Sequence, residues 1–127
     1  EARIFGDLCL NHIIPVATHY QSMIAKDVQN LMVIYGAEKG KKLSERIMNI
    51  IEQISERTAV IEENVEAMVE ARKVANKIQN EREKAIAYHD TVETFFQPIR
   101  YQIDKLELVV ADELWSLPKY RELLFVR

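Results

Sequence analysis

The feature that most restricts the fold of this chain is a segment from Leu43 to Phe96 that contains neither glycine nor proline. Glycine and proline are the residues that most often interrupt a helix, so their absence over this length favours helix throughout. Apolar residues also recur along the segment every seven residues, which is typical of a helix that packs against other helices. The main row is Ile47, Ile54, Ile61, Met68 and Ala75, and the companion row is Ile51, Thr58 and Val65.

A single helix over this segment would be longer than its neighbours. At about 1.5 Å per residue, roughly 50 residues would extend about 75 Å. Arg72 interrupts the companion row and Ala75 is small, so the apolar face becomes thinner there. The helix is therefore expected either to project as a free coiled-coil arm or to bend near its middle.

Two further helical segments flank the long one. The first runs over about residues 2–35, and Pro15 inside it should produce a kink because proline removes a backbone donor. Gly36 and Gly40 then mark a turn. The third segment opens near Pro98, since proline suits the first turn of a helix. Its apolar face is Ile99, Ile103, Leu106, Val109 and Val110.

The predicted fold class is all-α. We expect residues 1–127 to form a single helical domain, built as a bundle of three long antiparallel helices with a short C-terminal helical tail. That tail contains Trp115, Pro118 and Phe125. Trp115 either anchors the tail on the bundle or acts as a hot spot of an interface, and the sequence leaves both interpretations open.

The beginning of the first segment is apolar on most sides. A helix that is apolar all round is expected to be buried all round, whereas a bundle of three helices buries mainly one face of each. The excess apolar surface predicts a contact with something outside the chain. The residues predicted to form this interface are Ile4, Phe5, Leu8 and Ile13, together with Trp115 and Phe125 in the tail.

The charge pattern argues against nucleic-acid and membrane partners. The net charge is −3, so there is no overall basic excess to meet phosphates or anionic lipid. No uninterrupted apolar run approaches the roughly 20 residues that span a bilayer. The chain opens without a signal-peptide pattern, and Cys9 is its only cysteine. These features favour a reducing, cytoplasmic location.

The sequence offers weak candidates for chemistry. A di-metal site in a helical bundle needs Glu-x-x-His motifs, but no glutamate lies three residues before His12, His19 or His89. Cys9 lies in an apolar run, where a thiolate is disfavoured, so it is interpreted as a small buried residue. The acidic cluster beginning at Glu62 is interpreted as a solvated helix face. We therefore expect no catalytic, cofactor-binding or metal-binding residue.

Several stretches resemble the C-terminal region of type III glutamine synthetases, and the resemblance covers essentially the whole chain. The most specific stretch is the one that ends at Phe125. The stretches that carry the resemblance are Gly6–Leu8, Asn11–Pro15, Glu70–Ile78, Arg82–Ala85, Arg100–Val109 and Asp112–Phe125.

The resemblance implies that the chain is the C-terminal fragment of a larger enzyme. The enzymes of this family join ammonia to glutamate with ATP and a divalent metal, Mg or Mn, and assemble as large rings. Their catalytic residues lie in a preceding domain and match no position here. The chain is then expected to be non-catalytic, with a structural or assembly role, and to contact the catalytic domain of the same chain and neighbouring subunits. The alternative is a stand-alone helical coiled-coil module whose heptad row binds a partner helix. An enzyme working inside the bundle is the third hypothesis.

Overall fold

The computed structural model describes residues 1–110, and helices are the regular structure of this part. The all-α prediction is therefore confirmed for the described residues, while the predicted tail with Trp115 and Phe125 lies outside them. The elements in chain order are α1 (Ala2–Leu8), a π-helical segment (Cys9–Ile13), α2 (Ile14–Leu43), α3 (Glu45–Asn76), α4 (Glu81–Ala87), a second π-helical segment (Tyr88–Val92), a 3-10 turn (Glu93–Phe95) and α5 (Phe96–Val109).

The chain first reverses at Gly36, within the span of α2. Gly36 has φ 84° and ψ 169°, a combination that is essentially restricted to glycine. Four residues later, Gly40 lies directly against the preceding part of the helix. A Cβ atom on Gly40 would come within 2.8 Å of the Leu31 carbonyl oxygen and the Met32 Cα atom. The two glycines thus fold the end of α2 back on itself, and the turn predicted at Gly36 is confirmed.

Contacts between the first helices and α3 run in opposite order along the two partners. Gly6 in α1 lies beside Val65, late in α3. Further along the chain, Gln21 Nε2 donates to the carbonyl oxygen of Ile51, early in α3, at 2.9 Å. Early residues of the first helices therefore pack on late residues of α3.

The prediction of one helix from Leu43 to Phe96 is wrong. The helix α3 ends at Asn76, and a non-helical break follows over residues 77–80. The side chain of Asn80 then caps α4 by accepting a hydrogen bond from the Glu83 N–H at 3.0 Å. An asparagine followed three residues later by glutamate is a helix-start pattern, which marks where α4 begins but not where α3 ends. Of the two expectations for this segment, a projecting coiled-coil arm or a bend near its middle, the structure agrees with the bend.

The helical stretch after this break packs back along α3. The second π-helical segment and α5 both contact α3, and Arg57 Nη1 donates to Gln102 Oε1 at 3.0 Å. Helical structure resumes at Glu81, well before Pro98, which lies in the first turn of α5. The third segment therefore begins earlier than predicted, although its apolar face was identified correctly.

The heptad row of α3 lies at the centre of the core. The side chains of Ile54, Ile61 and Met68 are fully buried, and the hydroxyl of buried Thr58 donates to the Ile54 carbonyl oxygen at 2.7 Å. Helix α5 contributes Ile99 and other residues of its predicted face. The core residues outside α3 include Ala2, Cys9, Ile13, Ala17, Ile24, Val92, Ile99, Ile103, Leu106 and Val110.

The helix departs from regular α-helical hydrogen bonding just before Pro15. The π-helical segment ends at Ile13, so the helix widens immediately ahead of the residue that lacks a backbone N–H. In the described part of the chain, no helix combines the length and hydropathy needed to cross a bilayer.

Candidate functional site

Helix α1 presents large apolar side chains to solvent because its inward face is made of small residues. Ala2, Gly6 and Cys9 are buried against the other helices. Small side chains let two helices approach closely, so the larger neighbours are displaced to the flanks of the contact. Ile4 is 75% exposed and Leu10 is 44% exposed. We call the area around them the α1 surface; it comprises Ile4, Phe5, Leu8, Leu10, Val69 and Phe96.

Two open grooves flank Ile4, which lines both of them. The first has a volume of about 480 Å³ and lies between α1 and α3. The second has a volume of about 310 Å³ and lies between α1 and α5. The first is lined by Arg3, Ile4, Gly6, Asp7, Leu10, Val65, Val69 and Arg72, and the second by Glu1, Ile4, Phe5, Leu8, Phe96 and Arg100.

An aromatic cluster fixes α1 to α5. The rings of Phe5 and Phe96 meet edge to face with their centroids 5.4 Å apart. The Arg100 guanidinium lies over both rings, at 5.8 Å from the Phe5 centroid and 5.9 Å from the Phe96 centroid. The Tyr88 hydroxyl accepts a hydrogen bond from the Ala2 N–H at 3.2 Å. These contacts hold the α1 surface in place.

The rim of the first groove carries positive charge. Arg3 and Arg72 line it together with Asp7, which accepts a hydrogen bond from the Asn11 side chain. The Nε atom of Arg72 is buried and has no hydrogen-bond partner among the described residues. A groove with an apolar floor and a charged rim is the usual composition of a protein contact surface.

The predicted interface residues have different environments. Ile4 is the most exposed of them, while Phe5 and Leu8 are half-buried. Ile13 is only 5% exposed and belongs to the core of the chain itself, so it offers no free surface. Leu10 was not in the predicted set, although it belongs to the same apolar run. Only the position of α3 decides which residues of that run point outward.

The candidates for chemistry remain dispersed. Cys9 is fully buried, and desolvation raises the pKa of its thiol to about 12, so it stays protonated at neutral pH. His12 and His19 are both exposed, and His89 lies 3.3 Å from Asp90 on the surface. Among the described residues, no three His, Cys, Asp or Glu side chains gather closely enough to hold a metal ion.

Comparison with known proteins gives matches over the entire chain. No family model matches it. It is 43% identical over 127 residues to a glutamine synthetase of Bacteroides fragilis (strain YCH46). It is 24% identical, again over 127 residues, to a type-3 glutamine synthetase of Dictyostelium discoideum. The chain spans 17% of the length of each of these relatives.

Proposed function

We propose that this chain, which is similar over its whole length to part of a glutamine synthetase and to part of a type-3 glutamine synthetase, is a non-catalytic helical domain at the C-terminal end of such an enzyme. Its role is structural: it contributes to assembly of the enzyme through contacts with the catalytic domain and with neighbouring subunits. The ligation of ammonia to glutamate, with ATP and Mg or Mn, is then an activity of the parent enzyme in the cytoplasm.

We infer that the domain is an antiparallel bundle of three helical stretches. The first stretch ends at Gly36, and the second ends at the break over residues 77–80. The order of contacts supports this arrangement, because Gln21 bonds to Ile51 across the first pair and Arg57 bonds to Gln102 across the second.

The observation that carries the proposed role is the α1 surface. Ile4 is largely exposed between two grooves, and the cluster of Phe5, Phe96 and Arg100 holds the surrounding surface in place. Covering an isoleucine side chain of this kind stabilises a contact by about 2 kcal/mol. Similarity to only part of a much longer enzyme supports the remainder of that enzyme as the partner.

The alternative function, a free-standing coiled-coil module, is not favoured by the burial pattern. Its binding element would be the heptad row, but Ile54, Ile61 and Met68 are fully covered by other helices of the same chain. A partner helix would have to displace those helices to reach the row.

The test is made in the complete glutamine synthetase that contains this segment. Ile4→Asn should lower the thermal stability of the assembled enzyme, because a polar amide would then be buried in the contact. The matched control is Ile86→Asn on α4, where the isoleucine is 51% exposed. Equal stability and equal oligomer size for the two variants and the wild type would rule out the α1 surface as the contact.

The non-catalytic assignment has a separate test. The purified 127-residue chain, supplied with glutamate, ammonia, ATP and magnesium, should form no glutamine. Turnover by a preparation free of other glutamine synthetases would contradict the assignment.

A further inference from the structure

A second apolar surface surrounds the chain reversal at Gly36. Val33 is 85% exposed and Ile34 is 68% exposed, and Tyr35 and Leu43 are also exposed beside them. Thirty residues separate Ile34 from Ile4, which is about 45 Å along a helix, so this area is far from the α1 surface. We call it the corner surface; it comprises Val33, Ile34, Tyr35, Leu43, Lys39, Lys41 and Lys42.

The corner surface has a fixed shape and a positive charge. The close backbone approach at Gly40 holds the two sides of the reversal together. A shallow depression of about 570 Å³ lies on it, lined by Tyr35, Glu38, Lys39, Lys42 and Leu43. The Lys39 ammonium lies 5.0 Å from the centroid of the Tyr35 ring. Its apolar side chains are thus accompanied by three exposed ammonium groups, which outnumber the exposed carboxylate of Glu38 and leave the area positive.

The opposite charge is concentrated on the solvent face of α3. Six glutamates between residues 52 and 70 are exposed on this helix. Among the described residues, the ion pair of this group is Glu70 with Lys73, at 3.3 Å. Val74, one turn beyond Glu70, is 64% exposed and adds apolar area. We call this the acidic face; it comprises Glu52, Glu56, Glu62, Glu63, Glu66, Glu70 and Val74.

We propose that the corner surface of one copy of this chain docks on the acidic face of a second copy. The contact pairs lysines with glutamates and brings Val33 and Ile34 towards Val74. A corner surface facing another corner surface would place lysines against lysines, and two acidic faces would likewise repel each other. The pairing is therefore between unlike surfaces, which generates a ring or a filament rather than a two-fold dimer.

This contact deepens the proposed assembly role by naming the surfaces that join neighbouring subunits. It uses none of the residues of the α1 surface, so the two proposals can fail separately. Because both partners are present in the 127-residue chain, the test needs no other protein.

The experiment is sedimentation equilibrium of the chain and two charge-reversed variants at low ionic strength. One variant is Lys39→Glu with Lys42→Glu, so that both of its surfaces are acidic. The other is Glu63→Lys with Glu66→Lys, which leaves four glutamates and two lysines on the acidic face and lowers its charge from −6 to −2. Each variant alone should associate roughly tenfold more weakly than the wild type, and an equimolar mixture of the two should recover association.

Four further measurements make the outcome decisive. Circular dichroism shows whether each variant keeps its helices, and Arg82→Glu on the exposed side of α4 shows the effect of a charge reversal elsewhere. Val33→Ser should weaken association without any change in charge, whereas Ile4→Asn should leave it intact. A monomeric wild type, a mixture that stays monomeric, or association abolished by Ile4→Asn but not by the lysine reversals would overturn the proposal.

Discussion

At the scale of single residues, the three glycines of this chain lie in different environments. Gly36 has a backbone conformation that other residues rarely adopt, and Gly40 has ordinary dihedral angles but no room for a side chain. Gly6 differs from both, because a Cβ atom there would lie 3.4 Å from Val65 Cγ1, which is ordinary contact. The two glycines of the reversal are thus required for different physical reasons.

Alanine substitutions should separate these reasons. Gly36→Ala is expected to cost about 1–3 kcal/mol through backbone strain. Gly40→Ala should cost at least as much, because the rigid backbone of Leu31 and Met32 would have to move away. Gly6→Ala should stay within about 1 kcal/mol of the wild type, since helix propensity offsets the tighter packing. Urea unfolding of the three variants measures their free energies of unfolding. A Gly40→Ala variant as stable as Gly6→Ala would contradict the close backbone approach at Gly40.

Cys9 makes the stability of the folded chain depend on pH in the alkaline range. Burial raises the pKa of the thiol from 9.0 to about 12, so in the unfolded state the thiol ionises at lower pH than in the folded state. The stabilising contribution is complete below about pH 9 and is lost as the pH rises towards 12. The free energy of unfolding of the wild type should therefore fall more steeply over this range than that of Cys9→Ala. Identical slopes for the two proteins would show that the thiol is not desolvated.

At the scale of secondary-structure elements, the break over residues 77–80 decides how the chain packs. It ends α3 and lets the following helices return along the heptad row, which buries Val92, Ile99 and Leu106. Each such side chain contributes about 1.5–3 kcal/mol when fully buried. That gain exceeds the small preference for continuing the helix through a few residues of moderate propensity.

Asn80 should stabilise this break through its cap. Asn80→Ala removes the acceptor for the Glu83 N–H and is expected to cost about 1 kcal/mol of stability. Asn80→Asp keeps an acceptor and should retain most of that stability. Gln79→Ala, at an exposed neighbouring position, is the matched control. Chemical denaturation of these variants checks the expectation, which is contradicted if Asn80→Ala unfolds at the same denaturant concentration as Gln79→Ala.

At the scale of the whole molecule, the described residues include two clusters of exposed apolar side chains that lie far apart along the first helices. The α1 surface centres on Ile4, and the corner surface centres on Val33 and Ile34. Patches of this kind on a folded domain indicate contacts with other macromolecules. The proposed assembly role would place a different partner at each patch.

Both patches should be detectable in the isolated chain. We expect the folded chain to bind a hydrophobic fluorescent dye, and Ile4→Asn to lower the signal more than Ile86→Asn. The physical reason is that Ile4 lies between two grooves, where a dye finds apolar walls on both sides. Loss of the signal in denaturant would show that the folded surface is responsible. A folded chain that gives no dye fluorescence would contradict the expectation.

The sequence alone determined the helical class, the reversal at Gly36 and the core-facing rows of α3 and α5. These features follow from local chemistry, since a helical repeat and a glycine are readable without knowing what packs nearby. The sequence also sufficed to identify the resemblance to type III glutamine synthetases. Only the tertiary structure decided that the chain breaks after Asn76, that Ile13 is buried while Leu10 is exposed, and that Gly40 must lack a side chain. Each of these depends on which helix lies against which, because burial between distant segments outweighs the local preferences of the residues involved.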